Sequence, residues 1–225
     1  MNNIGSLNES SLHAALKQRY SRGNFETEVK LEGSIVDVFR EGTIVEIQTG
    51  SFSTIKSKLI RLCREYKVLL VYPLPEKKII SVYDAEENTL LHRRKSPKKC
   101  KVPDAVRELC RIIPVLSLNS FSLELLLIEE EEIRRSDGNG SWRRKGVSIV
   151  DRKLVEVRSS LLFSRPSDYL KLLPESVPEH FTNKDIAAMC PTSRRNAQGI
   201  SYCLKALGLI HVREKKGNTQ VFSLT

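Results

Sequence analysis

Between residues 25 and 49, β-branched and aromatic residues crowd into three short runs, 25–31, 34–39 and 43–49, separated only by Gly33 and by Glu41-Gly42. Runs this short, punctuated by turn formers, predict an antiparallel meander. From Ser53 the period changes: Ile55, Leu59, Leu62 and Tyr66 mark the apolar stripe of a helix ending near Glu65. The continuous apolar run 68–72 follows, as expected of a strand covered on both faces. Strand, helix, buried strand is a crossover unit, which commits the first part of the chain to an α/β fold.

Around this unit the expected elements are a helix over 11–20, a strand over 79–83, a helix over 103–113 and a strand over 122–130. In the first helix Leu12, Ala15, Leu16 and Tyr20 form the stripe, and Asn8, Ser10 and Ser11 are candidate caps. Segment 92–101 carries six Lys or Arg and no acid, and reads as a solvated loop. Ser136 to Ser141 (SDGNGS) reads as a linker. Residues 142–163 hold the basic cluster Arg143, Arg144 and Lys145, followed by an alternating stretch that adds strands to the first domain or continues the linker. Towards the C-terminus, helices over 168–173, 183–189 (capped by Thr182) and 194–206 (capped by Ser193) precede two strands, 209–214 and 220–224, joined through Lys215, Lys216, Gly217 and Asn218. The expected division is 1–135, 136–164 and 165–225, and no internal repeat is present.

Two carboxylates interrupt otherwise apolar strands: Asp37 in Ile35-Val36-Asp37-Val38-Phe39 and Glu46 in Ile44-Val45-Glu46-Ile47-Gln48. Desolvating an ionised carboxylate costs several kcal/mol, on the order of a whole side chain's burial, so each requires a cation, a donor or a proton. Alternation puts Glu46 and Gln48 on one face. Pairing through the turn at residues 40–42 brings Asp37 near Glu46, where a divalent metal would relieve their repulsion.

This pattern resembles the PD-(D/E)XK nuclease superfamily, over roughly residues 8–130: an opening helix, a three-strand meander, a crossover helix and a further strand. The motif reads Asp37, then Glu46-Ile47-Gln48 nine residues on. The resemblance implies a restriction-endonuclease-like mixed sheet flanked by helices, with Asp37 and Glu46 binding Mg²⁺ or Mn²⁺, assisted by the Ile47 carbonyl. Gln48 stands where the family usually has the Lys that orients the attacking water, and Lys56 or Lys58 on the next helix is the candidate replacement for that charge. Glu9, with Glu28 as substitute, matches the acid that often joins the set from the first helix. The activity implied is metal-assisted hydrolysis of DNA phosphodiester bonds.

The C-terminal segment resembles winged-helix domains over about residues 181–224, most in LKALGLIHVREKKGNTQVFSL. That resemblance makes 194–206 a recognition helix, with Arg194, Arg195, Asn196 and Gln198 of the types that read bases. Lys215 and Lys216 at the wing tip, Thr192 and Ser193, and the Arg143-Arg144 pair are candidate phosphate contacts. The formal charge of +10, from 37 Lys and Arg against 27 Asp and Glu, suits a polyanion. Double-stranded DNA is therefore the expected partner, and cutting both strands calls for two centres, hence a homodimer.

Other chemistries find no support. The five cysteines form no Cys-x-x-Cys pair and read as reduced packing residues. No phosphate loop of the Walker type is present, and His13, His92, His180 and His211 have no Ser or Cys in helpful context, His92 being at most a phosphate contact. No apolar run approaches the ~20 residues of a membrane span, and the N-terminus lacks a secretory pattern, so a cytoplasmic protein is expected. Two alternatives to a nuclease remain open: a catalytically degenerate DNA-binding or regulatory relative, which the Gln at position 48 allows, and an adaptor whose winged helix grips protein.

Overall fold

The computed structural model describes residues 9–23 and 25–225; the candidate cap Asn8 lies outside them. Ser10 caps α1 (Ser11–Tyr20), its hydroxyl accepting from the His13 amide. The meander forms as β1 (Glu26–Leu31), β2 (Ser34–Arg40) and β3 (Thr43–Ile47). A 3-10 turn at Phe52–Thr54 and α2 (Lys56–Leu62) then cross over to β4 (Lys67–Asp84), which pairs parallel to β3.

β4 differs from expectation. It runs unbroken through Pro73 and Pro75, which divide the sequence pattern into two apparent strands, and it absorbs them at a register shift between Pro75 and Lys77. The basic stretch is in part a strand, β5 (Leu90–Lys95), paired with the far half of β4 and exposed throughout. The helix expected over 103–113 is broken into a 3-10 turn (Val102–Ala105), α3 (Val106–Leu109) and α4 (Ile113–Leu116). Prolines 103 and 114 explain the breaks, because each can open a helical turn but cannot donate within one.

The strand expected over 122–130 extends to β6 (Phe121–Ser136), and β7 (Val147–Phe163) returns antiparallel beside it. SDGNGS is therefore the connection of a hairpin instead of a linker between domains, and residues 142–163 belong to the sheet. Gly140 is required there: a Cβ would sit 2.0 Å from the Val147 carbonyl oxygen. The sheet order is β1-β2-β3-β4-β6-β7, with β5 on the same edge of β4 as β3.

Helices lie on both faces of this mixed sheet. Leu12 and Leu16 of α1 pack with Val38, Val45, Ile47, Val71, Leu126 and Ile128 on one side. On the other, Leu59, Leu62, Leu109 and Leu116 bury Ile44, Leu70, Leu123 and Leu125. The C-terminal segment joins that second core. A 3-10 helix (Pro166–Leu172) leads to α5 (Asn183–Met189), α6 (Arg194–Ala206) and the hairpin β8 (Ile210–Lys216) and β9 (Thr219–Leu224). Tyr169, Phe181, Ile200 and Leu204 share the apolar cluster of α2, α3 and α4. Gly199 lets α6 approach α3, since a Cβ there would lie 3.1 Å from a Val106 methyl. All five cysteines are free thiols, and among the described residues no helix is long and apolar enough to cross a membrane.

Candidate active site

The pairing of β2 with β3 stops at Val38 and Val45, one residue short of Asp37 and Glu46. At the same level β1 is distorted, with Glu28 at φ 57°, and its pairing with β2 skips Asp37. The sheet opens here because the Asp37 side chain takes a backbone donor for itself: its Oδ2 accepts the Ile47 amide at 2.8 Å. Both acids are largely buried, and Asp37 is close enough for its charge to act on Glu46.

Each carboxylate has its own cation. Lys58, from the first turns of α2, pairs with Glu46 Oε1 and donates to the Ile35 carbonyl at 2.6 Å. Of the two candidate lysines it is Lys58 that reaches the site, and Lys56 makes no ion pair among the described residues. His13, on α1, turns Nε2 towards Asp37 Oδ2 (3.3 Å) and the Ile47 carbonyl (3.1 Å), while Nδ1 meets Glu9. Both ring nitrogens face oxygen acceptors, an arrangement satisfied by the doubly protonated imidazolium. Lys17 completes the row, 2.8 Å from Glu9 and 2.9 Å from Glu28.

The electrostatics follow from these neighbours. Burial, reinforced by the charge of Asp37, pushes the Glu46 carboxyl up to about 7 against the pull of Lys58. Burial opposes charge on His13 as well, but hydrogen bonds and attraction to Asp37 and Glu9 prevail and raise it to about 9. Burial likewise works against ionised Asp37, yet His13 and the Ile47 amide hold it below the usual range. Glu9 is lowered too, Lys17 and His13 outweighing its desolvation.

The site residues expected from sequence thus divide. Asp37, Glu46 and Glu9 share one cluster, with Glu28 joining through Lys17. Gln48 turns its amide nitrogen to the fold, donating to the Ser51 carbonyl (2.7 Å) and Thr54 hydroxyl (3.1 Å) and fastening the turn into α2. His13, which has no Ser or Cys in helpful context along the chain, enters the site through the carboxylates of Asp37 and Glu9. Its signal was the spacing: Glu9, His13 and Lys17 recur every fourth residue, one polar stripe beside the apolar stripe of Leu12 and Leu16.

A divalent ion fits this donor set on one direct observation: Glu46 Oε2 is buried without a hydrogen-bond partner. Two carboxylates and the Ile47 carbonyl are hard oxygen donors, the kind Mg²⁺ and Mn²⁺ take. No three His, Cys, Asp or Glu side chains form a ready cage among the described residues, so the candidate ligands are these two acids and a main-chain oxygen.

The candidate DNA contacts also divide. Arg194, Gln198 and Lys215 line one concave groove of about 900 Å³ between α5, α6 and the β8–β9 turn, together with Thr182, Lys184 and Asn218. Arg195 is exposed beside it, and Lys216 is drawn 3.1 Å from Glu214. Asn196 must be corrected: it is 1% exposed, donates to Asp104 (2.7 Å) and Thr192 (3.0 Å) and accepts from Arg107 (2.8 Å), so its amide is unavailable to a base. Arg143 and Arg144 sit at the tip of the β6–β7 hairpin, Arg143 against Trp142 and Arg144 on the Val147 carbonyl. Glu46 is level with Leu70 and Leu123, which puts that tip about 40 Å along the strands from the acid pair.

A family described as "Domain of unknown function (DUF8091)" matches residues 10–164. An uncharacterized protein of Treponema pallidum (strain Nichols) is 34% identical over 225 residues, covering 97% of this chain and 86% of that protein. No solved structure matches the chain.

Proposed function

The chain belongs to the family described as Domain of unknown function (DUF8091), and we propose that it is a divalent-metal-dependent deoxyribonuclease of restriction-endonuclease-like fold, with a C-terminal winged helix that holds duplex DNA. The observation that carries this reading is the gap in the sheet at Asp37 and Glu46, where two acids meet with Lys58 on one and an orphaned oxygen left on Glu46.

In this reading Asp37, Glu46 and the Ile47 carbonyl hold Mg²⁺ or Mn²⁺. The ion, when bound, supplies Lewis acidity, neutralising charge on the phosphate and acidifying water. Hydrolysis adds water across one P–O bond, the oxygen going to phosphorus and the departing oxygen gaining a proton. Lys58, carried by the helix that follows the motif, takes the part that Gln48 cannot: its ammonium orients the attacking oxygen and offsets negative charge as the bond breaks. His13 donates to the same Asp37 oxygen and Ile47 carbonyl, so it keeps these acceptors in place while the ion is absent. Arg194, Gln198 and Lys215, converging on one groove, suit a duplex-binding surface.

The test is nicking of supercoiled plasmid with Mg²⁺ or Mn²⁺. Cleavage should disappear in Asp37→Asn and Glu46→Gln and fall about 10²- to 10³-fold in Lys58→Ala. Cleavage that survives in Asp37→Asn contradicts the assignment.

One observation favours a second reading. Lys58 and His13 already neutralise both acids without a metal, which suits a relative that binds DNA and no longer cuts it. In that case the wild type shows salt-dependent DNA binding and no metal-dependent nicking.

A further inference from the structure

We infer that a second basic surface, running from the start of α6 along residues 98–107 to the acid pair, binds the phosphates of one nucleic-acid strand and carries that strand to Asp37 and Glu46. The inference rests on the nuclease reading for its destination and on separate observations for its course.

Two cavities mark the course. One, of about 300 Å³, is lined by Leu12, next to His13 on α1, and by Thr49, two residues beyond the end of β3 that bears Glu46, and reaches Lys98, Arg107 and Arg152. The other, of about 310 Å³, runs from Lys99, Lys101 and Arg107 to Thr192 and Ser193 at the start of α6. Asp104 and Arg107 line both, so the cavities are contiguous. Arg107 is held at the junction, its Nε donating to Asn196 Oδ1 at 2.8 Å.

The charge balance selects the occupant. Three acids line the path, and each is already engaged. Asp104 accepts the Lys101 amide (2.9 Å) and the Asn196 amide (2.7 Å); Glu108 accepts the Phe52 amide (2.7 Å) and pairs with Arg111 (3.2 Å); Glu130 lies 2.8 Å from Lys78. By contrast Lys98, Lys99, Lys101, Arg107 and Arg152 make no ion pair among the described residues. Five cations without an ion pair, against the single unpaired carboxylate of Asp104, leave a net positive groove that calls for anions at intervals, which a nucleic-acid backbone supplies. The narrow course of these cavities suits the backbone of one strand, so the path takes a strand that has left the duplex held at α6. It also gives Asn196 a purpose, as the bolt that fixes α6 to the groove.

The probe is a fluorescent single-stranded oligonucleotide, titrated in EDTA at several salt concentrations against the full chain and against Lys98→Ala/Lys99→Ala/Lys101→Ala. The expected result is weaker binding by the triple variant, with a log–log salt slope shallower by about 2, since each single-strand phosphate contact contributes about 0.7. Arg64→Ala/Lys67→Ala, exposed between the end of α2 and the start of β4, should leave the slope unchanged. Acetylation of the wild type, read by mass spectrometry, should show Lys98, Lys99 and Lys101 protected by the oligonucleotide and Lys145 not, independently of how the variant folds. An unchanged slope with unprotected lysines overturns the groove, as does binding of heparin without binding of the oligonucleotide. EDTA separates this test from the nuclease reading: metal-dependent nicking that persists while the groove fails leaves that reading standing, and a groove that binds without any nicking leaves the groove standing alone.

Discussion

Glu46 and His13 each hold a proton to higher pH than a free side chain, and the consequence for stability has a definite sign. For His13 the folded value, about 9, exceeds the unfolded 6.5, so its stabilising contribution is complete below pH 6.5 and is lost as pH rises through 9. Glu46, raised from 4.5 to about 7, also favours the folded state at the acidic end and loses that advantage between 4.5 and 7. Asp37 works the other way, because its lowered value gives stability above 3.8 that is lost in acid. The metal-free protein should therefore be most stable near pH 5 and show a falling Tm from there to pH 9, with Mg²⁺ restoring more at pH 8 than at pH 6. A Tm that rises over that interval without metal contradicts these assignments. His13→Gln should bind Mn²⁺ more tightly at pH 7, by up to about 10²-fold, since an imidazolium two units below its titration point no longer has to be displaced. At this scale Asp37 and Glu46 were legible because a charge inside an apolar strand demands a reason. Asn196 was not legible because an amide's type says nothing about which neighbour claims it, and its own fold claims both ends of that amide, as it claims the amide nitrogen of Gln48.

Among the elements, α1 decides whether the cluster exists at all, since it carries His13 and Lys17 on one stripe, which hold Glu9 just before its cap, and is anchored by Leu12 and Leu16 on the other. Leu16→Ala should cost about 2–5 kcal/mol in denaturant unfolding, and nicking should suffer beyond what the unfolded fraction explains, because the His13 and Glu9 contacts loosen with the helix. At the opposite end, Gly140→Ala must push the Val147 carbonyl aside and should destabilise the β6–β7 tip while leaving plasmid nicking intact, a separation that amide exchange and the cleavage assay can read together. The meander, the crossover helix and the C-terminal hairpin were legible from period and turn residues. The full lengths of β4 and β6 were not. Pro73 and Pro75 punctuate β4 as a loop would, and only the neighbouring strands on both sides make a register shift cheaper than a break. The Glu129–Glu132 run hides β6 in the same way, because Lys78, distant in sequence, pairs with both Glu130 and Glu132, and Arg134 on β6 itself adds a second cation to Glu132.

For the whole molecule, the boundary expected near residue 165 separates chain segments but not cores. Tyr169 stacks on Phe163 at 5.0 Å, and Ala197, Ile200 and Leu204 bury themselves against the helices that cover the main sheet. Removing the segment after residue 164 would uncover that apolar surface, so the truncated chain should aggregate instead of behaving as an autonomous domain. Neither periodicity nor composition carries that information, since a helix stripe that meets its own domain looks the same as one that meets a neighbour. The shared core fixes the α6 groove relative to the acid pair. Whether Asp37 and Glu46 form one divalent-ion site is read without any substrate by Mn²⁺ binding followed by electron paramagnetic resonance. One ion per chain should bind the wild type, more tightly as pH rises from 6 to 8, and should be lost in Asp37→Asn. Equal binding by Asp37→Asn, or no saturable binding by the wild type at millimolar Mn²⁺, would contradict a shared site.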